Sequence, residues 1–237
     1  MEYKYHSIVL EHTDVGETDR LYALYTKEAG RIMLAANGVR KPQAKLAGNL
    51  ESITLVEVFA AKNRGRGRIT GAIAADNFSG LKENLPAIQK VFATLKIFSR
   101  LVTQEEQDAG IFALLLDYLK AMDTSGEQEE KIEILTAGFI FKLLSGLGYG
   151  LEMKKCVSCG AMLVPSRNFF SAELGGTLCE TCASRENRRV RIADETVKFI
   201  RIFFENKMEN LGKLRTEESN LRNLKLVAEE TVKWVAG

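Results

Sequence analysis

RLYALYTKEAGRIMLAANG, residues 20–38, places apolar side chains on every second position in two short runs, Leu21/Ala23/Tyr25 and Ile32/Leu34/Ala36, either side of Glu28-Ala29-Gly30. A period of two is that of a strand with one buried face, and a short cluster ending in glycine marks a chain reversal. The stretch reads as a β-hairpin. Working outward, segments 5–12, 52–61 and 68–76 carry similar short or partly alternating apolar runs, and turn-like stretches lie at Asp14-Val15-Gly16-Glu17 and Asn63-Arg64-Gly65-Arg66-Gly67. Five strands follow, with RKPQAKLAGN between the third and fourth able to hold one short helix. That is the element order of an OB-fold barrel, although an SH3-like or other small barrel shares the pattern.

Beyond Gly80 the period changes to 3.6. Leu85, Ile88, Val91, Phe92, Leu95, Phe98, Leu101 and Val102 recur at helical spacing, and Pro86 falls in the first turn, where proline is tolerated. Apolar helices continue over 111–119 and 132–147, the latter stopped by Gly146, Gly148 and Gly150, and two more close the chain at about 194–206 and 216–235. With 237 residues, 46% of them hydrophobic, the chain can bury substantial cores. The expected class is α+β. Residues 1–79 form a nucleic-acid-binding OB-fold barrel, and residues 80–237 a mainly helical domain with a zinc-ribbon-like insertion at 154–184, between its third and fourth helices.

All four cysteines lie in that insertion. Cys156 and Cys159 bracket two residues, Cys179 and Cys182 bracket two more, and nineteen residues separate the pairs. A two-residue gap lets both sulfurs of a pair face one ion at the tip of a tight turn, and two such knuckles supply a tetrahedral all-sulfur set. Gly160 and Gly175-Gly176 supply the turns. Two disulfides or unrelated buried thiols are the competing readings. MEYKYHSIVLEHTDVGETDR has neither a basic leader nor a long apolar run, which points to the cytoplasm, where disulfides rarely persist. No apolar run reaches membrane-spanning length. Zinc is expected ahead of a single iron. Four thiolates leave no position for water or substrate, so the metal is structural.

The net charge of +2 is unevenly spread: from Arg31 to Arg68 there are eight basic and two acidic residues, and from Gly80 to Gly150 seven basic and ten acidic ones. A local, N-terminal cationic surface suits a polyanion partner. Arg40, Lys41 and Lys45 follow the third strand, and Arg64, Arg66 and Arg68 occupy the turn between the fourth and fifth, loops that flank the binding face of an OB-fold. Tyr22, Tyr25 and Phe59 are candidate base-stacking residues, with the barrel core as their competing destination. Arg185, Arg188, Arg189 and Arg191 form a second basic run beyond the cysteines, preceded by Lys154-Lys155, and read equally as an exposed linker or as a further DNA or partner contact. Catalytic patterns are scarce. His6 and His12 are the only histidines, GLGYG at 146–150 lacks the ending of a P-loop, and Asp14, Glu17 and Asp19 match no ion-binding loop and read as a solvated turn.

IVLEHTDVGETDRLYALYTKEAGRI, NGVRKPQAKLAGNLESITLVEV, FKLLSGLGYGLEMKKCVSCGA and FFSAELGGTLC together resemble the bacterial recombination-mediator and DNA-repair family RecO, along essentially the whole chain. The resemblance implies an N-terminal OB-fold, a C-terminal helical domain, in many members a zinc ribbon, and no enzyme active site. It also implies binding of single- and double-stranded DNA, annealing of complementary strands, and loading of RecA onto strands covered by single-strand-binding protein, with RecR and in some settings RecF. Arg20, Arg40, Lys41 and Lys45 match positive positions in the family's motifs; Arg64, Arg66 and Arg68 lie in a loop that varies. Two other classes compete: a protein-interaction adaptor whose barrel only packs, and a metal-dependent nuclease or hydrolase, which a closed set of four thiolates disfavours.

Overall fold

The computed structural model describes residues 1–44, 46–61, 67–103, 106–165 and 167–237. Five strands, β1 (Glu2–Val15), β2 (Asp19–Thr26), β3 (Gly30–Ala36), β4 (Leu55–Ala61) and β5 (Arg68–Asp76), close into a barrel in the order β1-β2-β3-β5-β4. Closure depends on the length of β1: residues 2–8 pair antiparallel with β4, and residues 7–15 pair antiparallel with β2 after a register shift between Val9 and Glu11. A bulge of this kind bends a strand enough to serve two neighbours. β3 meets β5 in parallel at Ala35 and Arg68. This is the topology of the OB-fold, as the hairpin at residues 20–38 leads one to expect.

On β3 the alternating residues Leu34 and Ala36 face inward as expected, but on β2 the phase is reversed: Tyr22 and Leu24, not Leu21/Ala23/Tyr25, enter the barrel, because the outer face of β2 is itself covered at Tyr25. Tyr22, Leu24, Leu34 and Ala36 join Val9, Val56, Val58, Ala60 and Ile69 in one buried cluster. The short helix expected within residues 40–49 is a single 3-10 turn, Ala47–Leu50, whose Leu50 is buried in the same cluster.

Compact packing groups residues 1–82 with 102–116, and residues 83–101 with 117–237, so the two units exchange a segment where the sequence suggests one cut at 79/80. The reason lies on the outer face of the hairpin. Tyr25 is 1% exposed and stacks on Phe112, with ring centroids 6.3 Å apart. Gly30 has φ +63°, and a Cβ there would strike the backbone carbonyl of Glu106.

Helices follow the barrel in chain order: α1 (Ser79–Glu83), α2 (Leu85–Leu101), α3 (Ala109–Asp123) and α4 (Glu129–Gly146). Asn84 caps α2, its side-chain oxygen accepting the Ala87 N–H at 3.1 Å. α4 is buried almost all round, from Ile132 to Leu144, and serves as the core of the second unit. Around it pack α2, α6 (Asp194–Glu205), α7 (Met208–Leu211) and α8 (Glu218–Ala236). The buried Tyr118 hydroxyl lies 3.1 Å from Thr136 and 3.3 Å from Thr94, and burial pushes its phenol up to about 12. Between α4 and α6 the chain forms a small three-stranded sheet, β7-β6-β8, from β6 (Asn168–Ser171), β7 (Gly176–Leu178) and β8 (Val190–Ile192), with the one-turn α5 (Glu180–Ala183) after β7.

Candidate nucleic-acid interface and metal centre

One end of the barrel gathers its expected cationic positions among the described residues. The β1–β2 turn, the chain after β3 and the start of β5 all meet there. Arg40 N–H donates to the Thr18 carbonyl at 2.9 Å, Gly38 N–H donates to the Asp19 carboxylate at 2.7 Å, and Ala35 N–H donates to the Gly67 carbonyl at 3.0 Å. Arg20 pairs in register with Ala36, one residue beyond Ala35, which faces Arg68. With strands about 4.8 Å apart, Arg20 and Arg68 start from backbones roughly 10 Å apart across β3. Arg40, Lys41 and Arg68 are exposed and Arg20 is half-buried. Lys45, Arg64 and Arg66, also singled out from the sequence, lie outside the described residues.

Asp14 moderates this surface. Its carboxylate accepts the Arg20 Nε–H at 2.8 Å and approaches Arg40 Nε at 3.4 Å. The Arg20 hydrogen bond, followed by the nearby Arg40 charge, holds the Asp14 carboxyl below its usual range, and Asp14 in turn raises Arg20. Asp19 is lowered by the Gly38 N–H and then by the Thr18 hydroxyl. The three acids of this turn therefore include two with protein partners, in keeping with a turn that holds its own shape. His6 sits 2.6 Å from Glu28, and His12 has a buried Nδ1 with no partner among the described residues. Burial, then the Arg20 charge, lowers the His12 pKa.

Two of the three expected stacking residues are corrected. Tyr22 is 0% and Tyr25 1% exposed, the first inside the barrel and the second under Phe112, so neither presents a ring to a base. Inward alternation along β2 requires this for Tyr22; for Tyr25 the cover comes from Phe112, far along the chain, which local pattern does not reveal. Phe59 remains on the outer face. It is 36% exposed, carries Lys4 Nζ 5.9 Å from its ring centroid, and lies two residues along β4 from Ala61, the register partner of Arg68.

The four cysteines converge. Their sulfurs all lie within 4.8 Å of one another, and Cys159 Sγ is 3.9 Å from Cys179 Sγ. Zinc–sulfur bonds of about 2.3 Å in a tetrahedron put neighbouring sulfurs about 3.8 Å apart, so the set fits that ion. Local backbone builds each knuckle. Gly160, at φ +75°, lets its N–H return to the Cys156 carbonyl at 2.9 Å, while Ala183 N–H donates to the Cys179 carbonyl at 2.9 Å. Gly176 permits the close approach that joins the two halves: Thr177 N–H donates to Glu152 O and Val157 N–H to Thr177 O, and a Cβ on Gly176 would collide with Glu152 and Val157. Arg201 anchors the module to α6, its Nε donating to the Met153 carbonyl at 2.7 Å.

The sulfurs do not titrate alike. Burial pushes Cys156 up, but N–H groups of Cys179, Cys159 and Ser158 outweigh it and bring the thiol down to about 6. Cys182 is drawn down by Ser158 but driven up overall, to about 11, by Cys179, Cys159 and burial. Four adjacent thiolates repel one another unless a cation lies between them, which is the chemistry of a metal site.

Beyond the metal set, Arg185, Arg188, Arg189 and Arg191 are all exposed. Arg189 lies over the Phe169 ring, 5.8 Å from its centroid, and donates to the Glu186 carbonyl; Arg188 is 4.0 Å from Glu173. Arg188 and Arg189 line a cleft with Lys233 and Trp234 of α8. Trp234 is not among the residues singled out from the sequence, although helical spacing carries the signal: the buried stripe of α8 runs Asn220, Leu224, Val227/Ala228, Thr231/Val232, and position 234 lies off it.

Comparison with known families matches residues 1–78 to Recombination protein O N terminal and residues 91–237 to Recombination protein O C terminal. The chain is 29% identical over 234 residues to a DNA repair protein RecO of Dehalococcoides mccartyi, covering 99% of this chain and 90% of that one. It is 30% identical over 213 residues to a DNA repair protein RecO of a Roseiflexus species, covering 90% and 74%. A protein of the same description from Halalkalibacterium halodurans is 25% identical over 227 residues, covering 96% and 87%.

Proposed function

The chain belongs to the RecO family of DNA repair proteins, and from that premise we propose that it is a non-enzymatic recombination mediator that binds single- and double-stranded DNA through one end of its barrel. The observation that carries this reading is the convergence of Arg20, Arg40, Lys41 and Arg68 on that end, between the loops with which OB-folds grip nucleic acid. Lys45, Arg64 and Arg66 belong to the same stretches of chain and extend the proposed interface.

Annealing asks for partial neutralisation of two repelling strands, accessible bases and release after pairing. A shallow surface of phosphate-binding cations does this without reading sequence. Asp14 suits that role, because a surface already partly compensated by a carboxylate gives up its strand more readily than a fully cationic one. Phe59 is the one expected stacking platform still exposed on the barrel. Following the family resemblance, RecR is the proposed principal partner, with RecF, RecA and single-strand-binding protein as further partners, and the bacterial cytoplasm, at the nucleoid during repair, as the site of action. No described helix is long and apolar enough to cross a membrane.

The metal is assigned as structural zinc, held by Cys156, Cys159, Cys179 and Cys182. Bound there, it would neutralise two of four thiolate charges and lock the two knuckles together. It has no role in a chemical step.

One observation favours an adaptor instead. Arg20 and Arg40 are already engaged by Asp14. The two readings separate in a salt series of fluorescent oligonucleotide binding by zinc-loaded protein. Four phosphate contacts give a slope of log K against log salt near −3, at about −0.7 per contact for a single strand. No binding even at low salt would overturn the mediator reading in favour of the adaptor.

A further inference from the structure

We propose that the cleft between the cysteine module and α8 is a second contact for single-stranded nucleic acid, one base stacking on Trp234 while Arg188, Arg189 and Lys233 hold the neighbouring phosphates. The proposal rests on the DNA-binding reading but uses no residue of the barrel.

The argument begins with an aromatic residue in an expensive place. Trp234 is the only tryptophan in the chain and is 48% exposed, on a helix whose buried face is already complete without it. A large exposed ring beside cations is the combination that sequence-tolerant single-strand binding uses, since every base has a π-face. The cleft holds about 430 Å³, within the range of small-ligand sites, and its opposite wall adds Phe170 and Val190 as apolar floor.

Charge alone does not account for it. Lys233 Nζ lies 2.8 Å from Glu230 and Arg188 is 4.0 Å from Glu173, so three cations face two carboxylates. An acidic peptide held by charge gains little here and sets its own carboxylates against Glu173 and Glu230. A nucleotide gains the stack, which needs no net charge, and its phosphates find Arg189, which has no carboxylate within ion-pair distance among the described residues. Arg185 and Arg191, both exposed, carry the basic surface onward from the cleft. The cysteine module thereby acquires a task besides its own integrity: residues 187–190, on one wall of the cleft, run from the chain after α5 into the start of β8 and depend on that module for their position.

A single tryptophan makes the site its own reporter. Zinc-loaded full-length protein is titrated with oligothymidylate while the emission of Trp234 is followed, and in parallel with the same oligomer carrying fluorescein, for total binding by anisotropy. Saturable quenching in step with anisotropy is expected. Arg188→Ala/Arg189→Ala should move the quenching midpoint to about fivefold higher concentration. Trp234→Ala should weaken binding about tenfold, the size of one lost stack, and Trp234→Phe, which keeps a ring, should lose much less. Quenching should persist in the Arg40→Ala/Lys41→Ala/Lys45→Ala protein. Rising anisotropy with unchanged Trp234 emission overturns the cleft and leaves the barrel reading standing. Absence of both signals removes both. Quenching by polyglutamate but not by oligothymidylate would make the cleft a protein-docking site and overturn the proposal.

Discussion

Eleven buried apolar side chains fill the barrel, whereas the cluster around the cysteines has three fully buried members, Cys156, Leu178 and Ala183. The barrel strands run from seven to fourteen residues and close on themselves; those of the cysteine module are three or four residues long. A ladder that short is not stable on its own area and needs a cross-link. The difference teaches where sequence freedom lies. A barrel closed by its own core can vary its loops, and so can spend them on charge, while a module closed at four sulfurs leaves no freedom at those four positions.

The largest effect that would test this contrast is loss of the metal. Chelation, or Cys156→Ser with Cys159→Ser, should abolish amide protection across residues 154–192, since structural zinc in small modules contributes on the order of 10 kcal/mol. Hydrogen exchange followed by mass spectrometry should find β1 to β5 as protected as before. A barrel that opened together with the module would break the comparison.

A paired substitution sharpens it. Gly30→Ala combines a left-handed backbone with a collision against the Glu106 carbonyl, and should destabilise the barrel unit by about 2–4 kcal/mol in urea unfolding. Gly176→Ala should instead loosen the cysteine module, where its Cβ meets Glu152 and Val157, and leave the barrel midpoint unchanged.

On the barrel side, Arg40→Ala/Lys41→Ala/Lys45→Ala should weaken oligonucleotide binding and flatten its salt slope by about 2 units. Unchanged affinity would move the interface off this end. The smallest effect is expected at Asp14. Asp14→Asn frees Arg20 and Arg40 and should tighten binding by up to about fivefold, the upper end of what an exposed ion pair is worth. The pH dependence has a definite sign: the Asp14 and Asp19 carboxyls titrate below their ordinary 3.8, so their contribution to stability is present above that value and is lost as pH falls through the lower one. Asp14→Asn should therefore reduce the acid sensitivity of the β1–β2 turn, measured by exchange below about pH 4.

Strand positions, main helices and the four-cysteine cluster were legible in the sequence because each obeys a local rule: short apolar runs between turns, the 3.6 period, or a two-residue gap between cysteines. The observed α3, Ala109–Asp123, and α4, Glu129–Gly146, run only a few residues past the apolar stretches that announce them. What escaped is set by distant chain. The cover of Tyr25 by Phe112 and the exchange of residues 102–116 between units depend on packing that no window of a dozen residues contains. The same holds for the cleft, where residues 187–190 meet Trp234 across more than forty positions. Asp14 has the sequence surroundings of a solvated turn, and its pairing with Arg40 depends on the chain after β3 returning to that turn.

The most direct test is hydrogen exchange of the full-length protein, zinc-loaded and chelated, each with and without oligothymidylate. The account predicts that the oligomer protects residues 16–18, 37–41 and 67–68 in both metal states, while protection at 187–190 and along the end of α8 appears only with zinc. Protection confined to the cysteine module, or loss of the barrel footprint on chelation, would contradict it.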